Sequence, residues 1–229
     1  MRMITRMAAG TLAVGLAAGT AAAQYNVDFS DGGASEPPPS NAYGAAAGQP
    51  GVWNNIVTDI TPNVPLLNTA GAATGVTITL TAGGFMFDGS NSLPNGVTTT
   101  TGSNDELFMD DVWDSPAAAT ITVGNLPAGP YRLYVYGGSP DSSTTFMQFD
   151  VAGQASQTVG GQWSNPFTYQ QGVTHALFNV NHPGGNLVIG VPDVPGFESV
   201  NGLQIAAVPE PATVGLLAAG ALCLVRRRR

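Results

Sequence analysis

Between Gln24 and Ala206 no stretch of this chain sustains the 3.6-residue apolar period of a helix; its apolar residues come in short runs, each cut by Gly, Pro, Asn, Asp or Ser. A chain punctuated in this way buries apolar surface by pairing short extended segments, so the body is predicted to be all-β. The predicted strands are Val76–Thr81, Phe85–Phe87, Ala119–Val123, Tyr131–Tyr136, Thr145–Val151, Ala176–Val180, Asn186–Ile189 and Leu203–Ile205. The first alternates strictly, with Val76, Ile78 and Leu80 on one face and Thr77, Thr79 and Thr81 on the other. Tyr131–Tyr136 is more uniformly apolar, as a central strand covered on both faces must be. Turn signals separate the runs, among them Ala82-Gly83-Gly84, Gly137-Gly138-Ser139-Pro140 and Pro183-Gly184-Gly185. The expected fold is an antiparallel, jelly-roll-like β-sandwich in one domain over residues 24–206. Gly32 to Gly51 reads as a loop crossing the sandwich, with polyproline II at Glu36–Ser40.

Charge narrows the function classes. The chain has no lysine, and six of its seven arginines lie at the termini: Arg2, Arg6, Arg226, Arg227, Arg228 and Arg229. From Gln24 to Val208 one cation, Arg132, faces 14 carboxylates, a net charge of −13. A body so acidic cannot neutralise phosphates, which excludes nucleic acid as a partner. The single cysteine, Cys223, lies outside the body, so neither an intrachain disulfide nor a cysteine zinc site is available.

Both ends read as targeting segments. Arg2 and Arg6 precede an apolar stretch from Met7 to Gly19, followed by Ala21-Ala22-Ala23. A charged start, a short apolar run and small residues at the last and third-last positions define a signal peptide, 1–23, cut by signal peptidase between Ala23 and Gln24. Ala21 and Ala23 fill the small-residue positions of that site. A permanent N-terminal anchor would need ~20 apolar residues. At the other end stand Pro209-Glu210-Pro211, then 14 apolar or small residues from Ala212 to Val225, then four arginines. As a helix that run is ~21 Å long at ~1.5 Å per residue. It falls short of a ~30 Å hydrocarbon core, so a span would need thinning or snorkelling arginines. The arginines favour the cytoplasmic side, leaving the body outside.

Pro-Glu-Pro, a single apolar helix and a terminal arginine cluster, in that order, resemble the PEP-CTERM sorting signal, 207–229. This tail is also called the ice-binding protein C-terminal domain, a name that does not imply ice binding. The resemblance implies a Gram-negative-type bacterium that makes exopolysaccharide, and recognition near Pro209–Pro211 by an exosortase, a membrane protease-transpeptidase. It implies export across the inner membrane, transient anchoring, and release to the cell surface or matrix. The stretch Asn41–Asn54 looks like the opening of many secreted proteins of this kind. Leu126–Gly137 resembles the loop–strand pair of galactose-binding-like sandwiches, a fold that hosts carbohydrate-binding modules among other functions.

Chemistry-bearing residues are sparse. His175 and His182, the only histidines, match no zinc spacing and read as surface or turn residues. Neither a Gly-x-Ser-x-Gly elbow nor a phosphate-binding glycine loop occurs. No catalytic residue is assigned. Asp105, Glu106, Asp110, Asp111 and Asp114 crowd ten residues. Hard oxygen donors at that density suit a structural Ca²⁺; the other reading is a solvated acidic loop, with Asp110 and Asp111 at a strand start. Trp53 and Trp113 are assigned to the core, and Trp163 to either the core or an exposed sugar-stacking platform. The body is expected to be non-enzymatic, structural or associated with exopolysaccharide. The alternative is a polysaccharide-active enzyme or a carbohydrate-binding module.

Overall fold

The computed structural model describes residues 23–32, 37–59, 61–81, 84–88, 102–193 and 198–209. Its elements, in chain order, are β1 (Tyr25–Phe29), β2 (Trp53–Ile56), β3 (Thr61–Leu67), β4 (Ala73–Thr81), β5 (Phe85–Asp88), α1 (Asn104–Met109) and β6 (Asp111–Ser115). They continue with β7 (Ala119–Leu126), β8 (Gly129–Gly137), β9 (Phe146–Val151), β10 (Gln157–Gly160), β11 (His175–His182), β12 (Gly185–Val191) and β13 (Glu198–Ala207). The signal peptide up to residue 22, Glu36, and the apolar run with its arginines lie outside the described residues. Among the described residues no helix is long and apolar enough to cross a membrane.

The strands form two sheets. One runs β11-β8-β13-β1-β2, with β6 also on β13 and β5 on β6; the other runs β10-β9-β12-β7-β4-β3. Tyr25, Val27, Leu133, Val135, Leu203 and Ile205 of the first share one buried cluster with residues of the second such as Ile78, Leu80, Ile121, Val123, Phe149 and Ile189. The alternation from Val76 to Thr81 is realised there: Val76, Ile78 and Leu80 are buried, and the threonines turn outward. Pairing is antiparallel except between β1 and β2, which run parallel with Asn26 opposite Trp53 and Phe29 opposite Ile56. The wholly antiparallel expectation is corrected at that pair. A long excursion after β1 brings the chain back in the same direction, as a parallel neighbour requires.

All eight predicted strands are present, mostly extended by a residue or more. Five others carried too little apolar signal to read. β3 contains Pro62 and Pro65 and lies at a sheet edge, where a missing N–H faces no partner. β1, β2, β6 and β10 are four or five residues long and interleave Asn, Asp, Ser or Gln with their apolar residues. α1 begins at a Ser-x-x-Glu sequence: Glu106 N–H donates to Ser103 Oγ at 3.3 Å, and the Glu106 carboxylate accepts from Gly102 N–H.

First and last strands are neighbours. Tyr25 pairs with Ile205 and Asp28 with Gly202, so the chain enters and leaves the body at the same end. There Thr69 N–H donates to Gln24 O and Val208 N–H to Pro130 O, both at 2.9 Å.

Candidate functional site

The second face of the β8-bearing sheet is where polar and aromatic side chains converge. Strand alternation sends Tyr25, Val27, Leu133 and Val135 into the core and Asn26, Asp28, Tyr134 and Tyr136 to the opposite side. That side is covered too. Residues 41–49, α1 and the segment 163–175 lie over it, giving a second buried cluster of Trp53, Phe108, Met109, Tyr134, Tyr136 and Trp163. Small residues in Tyr43–Gln49 let the backbone approach closely: Ala46 N–H donates to Tyr136 Oη at 3.0 Å and Ala47 N–H to Gln204 Oε1 at 3.2 Å.

A polar network stitches this layer to the sheet. Gln204 Nε2 donates to Asn26 Oδ1 at 2.9 Å and to Gly44 O at 3.2 Å. Gln49 Nε2 donates to Asn26 Oδ1 at 2.9 Å and to Tyr25 O at 3.1 Å, and Asn26 Nδ2 returns a bond to Gln49 O. Asn26, Gln49 and Gln204 are all buried. Beside them Tyr43 Oη donates to Asp105 Oδ1 at 2.6 Å and bonds Tyr169 Oη. Burial pushes the Tyr43, Tyr136 and Tyr169 hydroxyls above the usual phenol range, and the Asp105 charge adds to this at Tyr43 and Tyr169. These phenols stay protonated and serve as donors.

The sequence-derived candidates are dispersed over this framework. Asp105 accepts from Tyr43; Glu106 is buried and caps α1; Asp111 opens β6, and Asp110 is the helix's C-cap residue. Asp114, on β6, accepts from Ser199 Oγ at 2.5 Å. Among the described residues no three of His, Cys, Asp and Glu come together as a metal-ligand group. Trp163 is 2% exposed, with its ring against Gly138 and edge-on to Phe167 at 5.7 Å. It is a core residue and not a sugar platform. Trp53 and Trp113 are buried as expected.

The histidines are likewise not surface residues: His175 and His182 are 6% and 5% exposed at the two ends of β11. His175 sits among the rings of Tyr134, Tyr136 and Tyr169, with Thr174 Oγ1 3.2 Å from Nδ1. Burial lowers its pKa from 6.5 to about 4. Between those values the unfolded chain holds a proton that the folded chain rejects, so stability rises with pH in that window. Stability measured by denaturant unfolding is therefore expected to be full above pH 6.5, to decline towards pH 4, and to lose no more on this account below it. His175→Gln should flatten that part of the profile; an unchanged slope would show that the ring titrates normally.

Tyr43, Tyr169, Gln49 and Gln204 were not singled out from sequence. The signal available was the run of small residues around Tyr43, which marks a segment built to lie flat on another surface.

Comparison with curated proteins finds no match. Among solved structures the chain is similar to Bacteroides uniformis beta-glucuronidase, at 10% identity and a TM-score of 0.38, over 61% of this chain and 15% of that one. It is similar to the plant receptor-like kinase FER, at 12% identity and a TM-score of 0.42, over 82% of this chain and 42% of the kinase. Phanerochaete chrysosporium exo-beta-1,3-galactanase shows 15% identity and a TM-score of 0.31, over 61% of this chain and 32% of the enzyme. The chain thus spans well under half the length of the glycosidases it matches. Pro209, the last described residue, lies two positions beyond the end of β13, and the segment from the last residue of that strand matches a family model: residues 207–229 carry a PEP-CTERM protein-sorting motif.

Proposed function

We propose that this is an exported protein whose non-catalytic, jelly-roll-like sandwich is delivered by an exosortase to the cell surface or exopolysaccharide matrix, where it acts as a structural or glycan-associated component. The PEP-CTERM motif implies secretion with a membrane-anchoring tail and exosortase processing. The observation that carries the reading is the direct junction between motif and fold: Val208 is still hydrogen-bonded to Pro130, and Pro209 follows at once. Whatever is sorted by the tail is the folded body itself. The non-catalytic part of the reading is supported by the convergent polar groups of Asn26, Gln49, Gln204 and Tyr136, which bond one another within a covered layer.

Intact-mass measurement of envelope and medium fractions tests the sorting. The mature protein is expected to begin at Gln24 and to lack Arg226–Arg229. A species retaining Arg229 as the only stable form would overturn exosortase release. A polysaccharide panel separates the alternatives: bond cleavage would mark an enzyme, and tight retention by one glycan a dedicated binding module.

A further inference from the structure

The two ends of the sandwich differ in charge. At the end where β1 begins and β13 finishes lie the connections 68–72, 125–128 and 181–186, and none contains Asp, Glu, Lys or Arg. Their placement follows from register. Leu126 pairs with Gly185, Gly129 with His182, and Leu67 with Ala73. Among the described residues the charged position closest to this end is the body's one cation, Arg132, opposite Ala206; the tail itself brings Glu210 three positions after β13.

Carboxylate residues fall in the other direction. Asp28 is level with Gly202, Asp114 with Ser199, Glu198 with Ser115, and Asp150 with Gly190 near the far end of β12. Asp31, Asp59, Asp141 and Asp193 follow strands that run away from the exit end. α1, with Asp105 and Glu106, lies over the middle of the sheet, where Asn201 Nδ2 donates to Met109 O and Asp111 O.

We propose that the uncharged exit end is a membrane-facing surface, seated against the lipid headgroups while the tail is anchored. The inference rests on the sorting reading above. From Ala207 to Ala212 the chain spans at most ~18 Å at ~3.6 Å per residue, so an inserted tail holds this end against the bilayer. A body of net charge −13 would be repelled by anionic lipid if its carboxylates lay within a Debye length of ~8 Å. The fold keeps them away. The same end presents apolar surface: a cleft of about 230 Å³ opens beside it between Val151, Val180, Pro183, Leu187 and Val188, the last 44% exposed.

The test uses the chain from Gln24 to Arg229 with Cys223→Ser, in phosphatidylcholine–phosphatidylglycerol vesicles containing headgroup-nitroxide lipid. A fluorophore is placed at Ala70→Cys, in the β3–β4 turn beside Gln24, or at Thr144→Cys, exposed at the opposite end. Quenching is expected to be several-fold stronger at position 70. Ala128→Glu should weaken quenching at position 70 in these vesicles, with recovery in high salt, whereas Thr144→Glu should not. Equal quenching at both positions in vesicle-bound protein would overturn the membrane-facing surface and leave the sorting reading intact, as when that end meets a protein instead. A chain that does not float with the vesicles would overturn both.

Discussion

Trp163→Ala is expected to cost about 3–5 kcal/mol of folding stability, the range for deleting a large buried aromatic side chain. In a domain of this size that corresponds to a fall in Tm of roughly 10 °C. The side chain is enclosed by the segment 163–175 and the β8 end, against a glycine whose Cβ would stand 2.6 Å from the indole ring. Trp163→Phe should cost much less. It keeps an aromatic ring in the cluster and removes an indole N–H that is buried without an acceptor among the described residues. Thermal unfolding of the three proteins measures the series. An alanine variant with unchanged Tm but weakened binding to a glycan would restore Trp163 as an exposed platform.

The second large effect is expected at Gly202. A Cβ there would lie 2.3 Å from Val27 O and 2.7 Å from the Phe108 ring. The first contact is the backbone of the neighbouring strand, so no side-chain rotation relieves it. Gly202→Ala should therefore cost about 3 kcal/mol, at the upper end for overpacking. It acts in two directions at once, within the sheet pressing β13 from β1 and above one face pressing α1 from β13. Phe108→Ala in the same chain should recover part of the ring clash and none of the backbone one. A double-mutant cycle in denaturant measures that coupling. A single-mutant cost under ~0.5 kcal/mol would mean that the strands separate freely.

What could be read beforehand follows how much each segment depends on its own apolar residues. β4, β7, β8 and β11 carry their burial pattern in alternating or continuous apolar side chains, so their positions were legible. β1 was not, because Asn26 and Asp28 look like loop residues until a covering layer is known to stand over that face, and β6 was visible only as a strand start at Asp110 and Asp111 within an acidic stretch. The same layer encloses Trp163, which the sequence left open, and His175, which it placed at the surface; His182 is buried instead on the inter-sheet face of β11, in line with Ala176, Phe178 and Val180. In a two-layer sandwich half of each strand faces water; here β8 is covered on both sides, and residues assigned to solvent are enclosed. The helix in the acidic stretch was hidden for a local reason. Ser103 and Glu106 form a helix start, and the helix sends its carboxylates to different partners. The sorting motif needed no tertiary context, because its signal is a linear order of residue types.

The pairing of the first and last strands also sets an order in time. Of the described strands β13 is the last to be synthesised, and it lies in its sheet between β8 and β1, with β6 on it as well. Contacts joining Tyr25 to Ile205 span almost the whole body, a high-contact-order closure that is paid late and forms slowly. Until residue 207 has cleared a secretion channel, β1, β6 and β8 lack their common neighbour, so the sheet cannot close. For a chain exported in this way, the sheet closes only once the body has passed and the membrane-anchoring tail is in the channel.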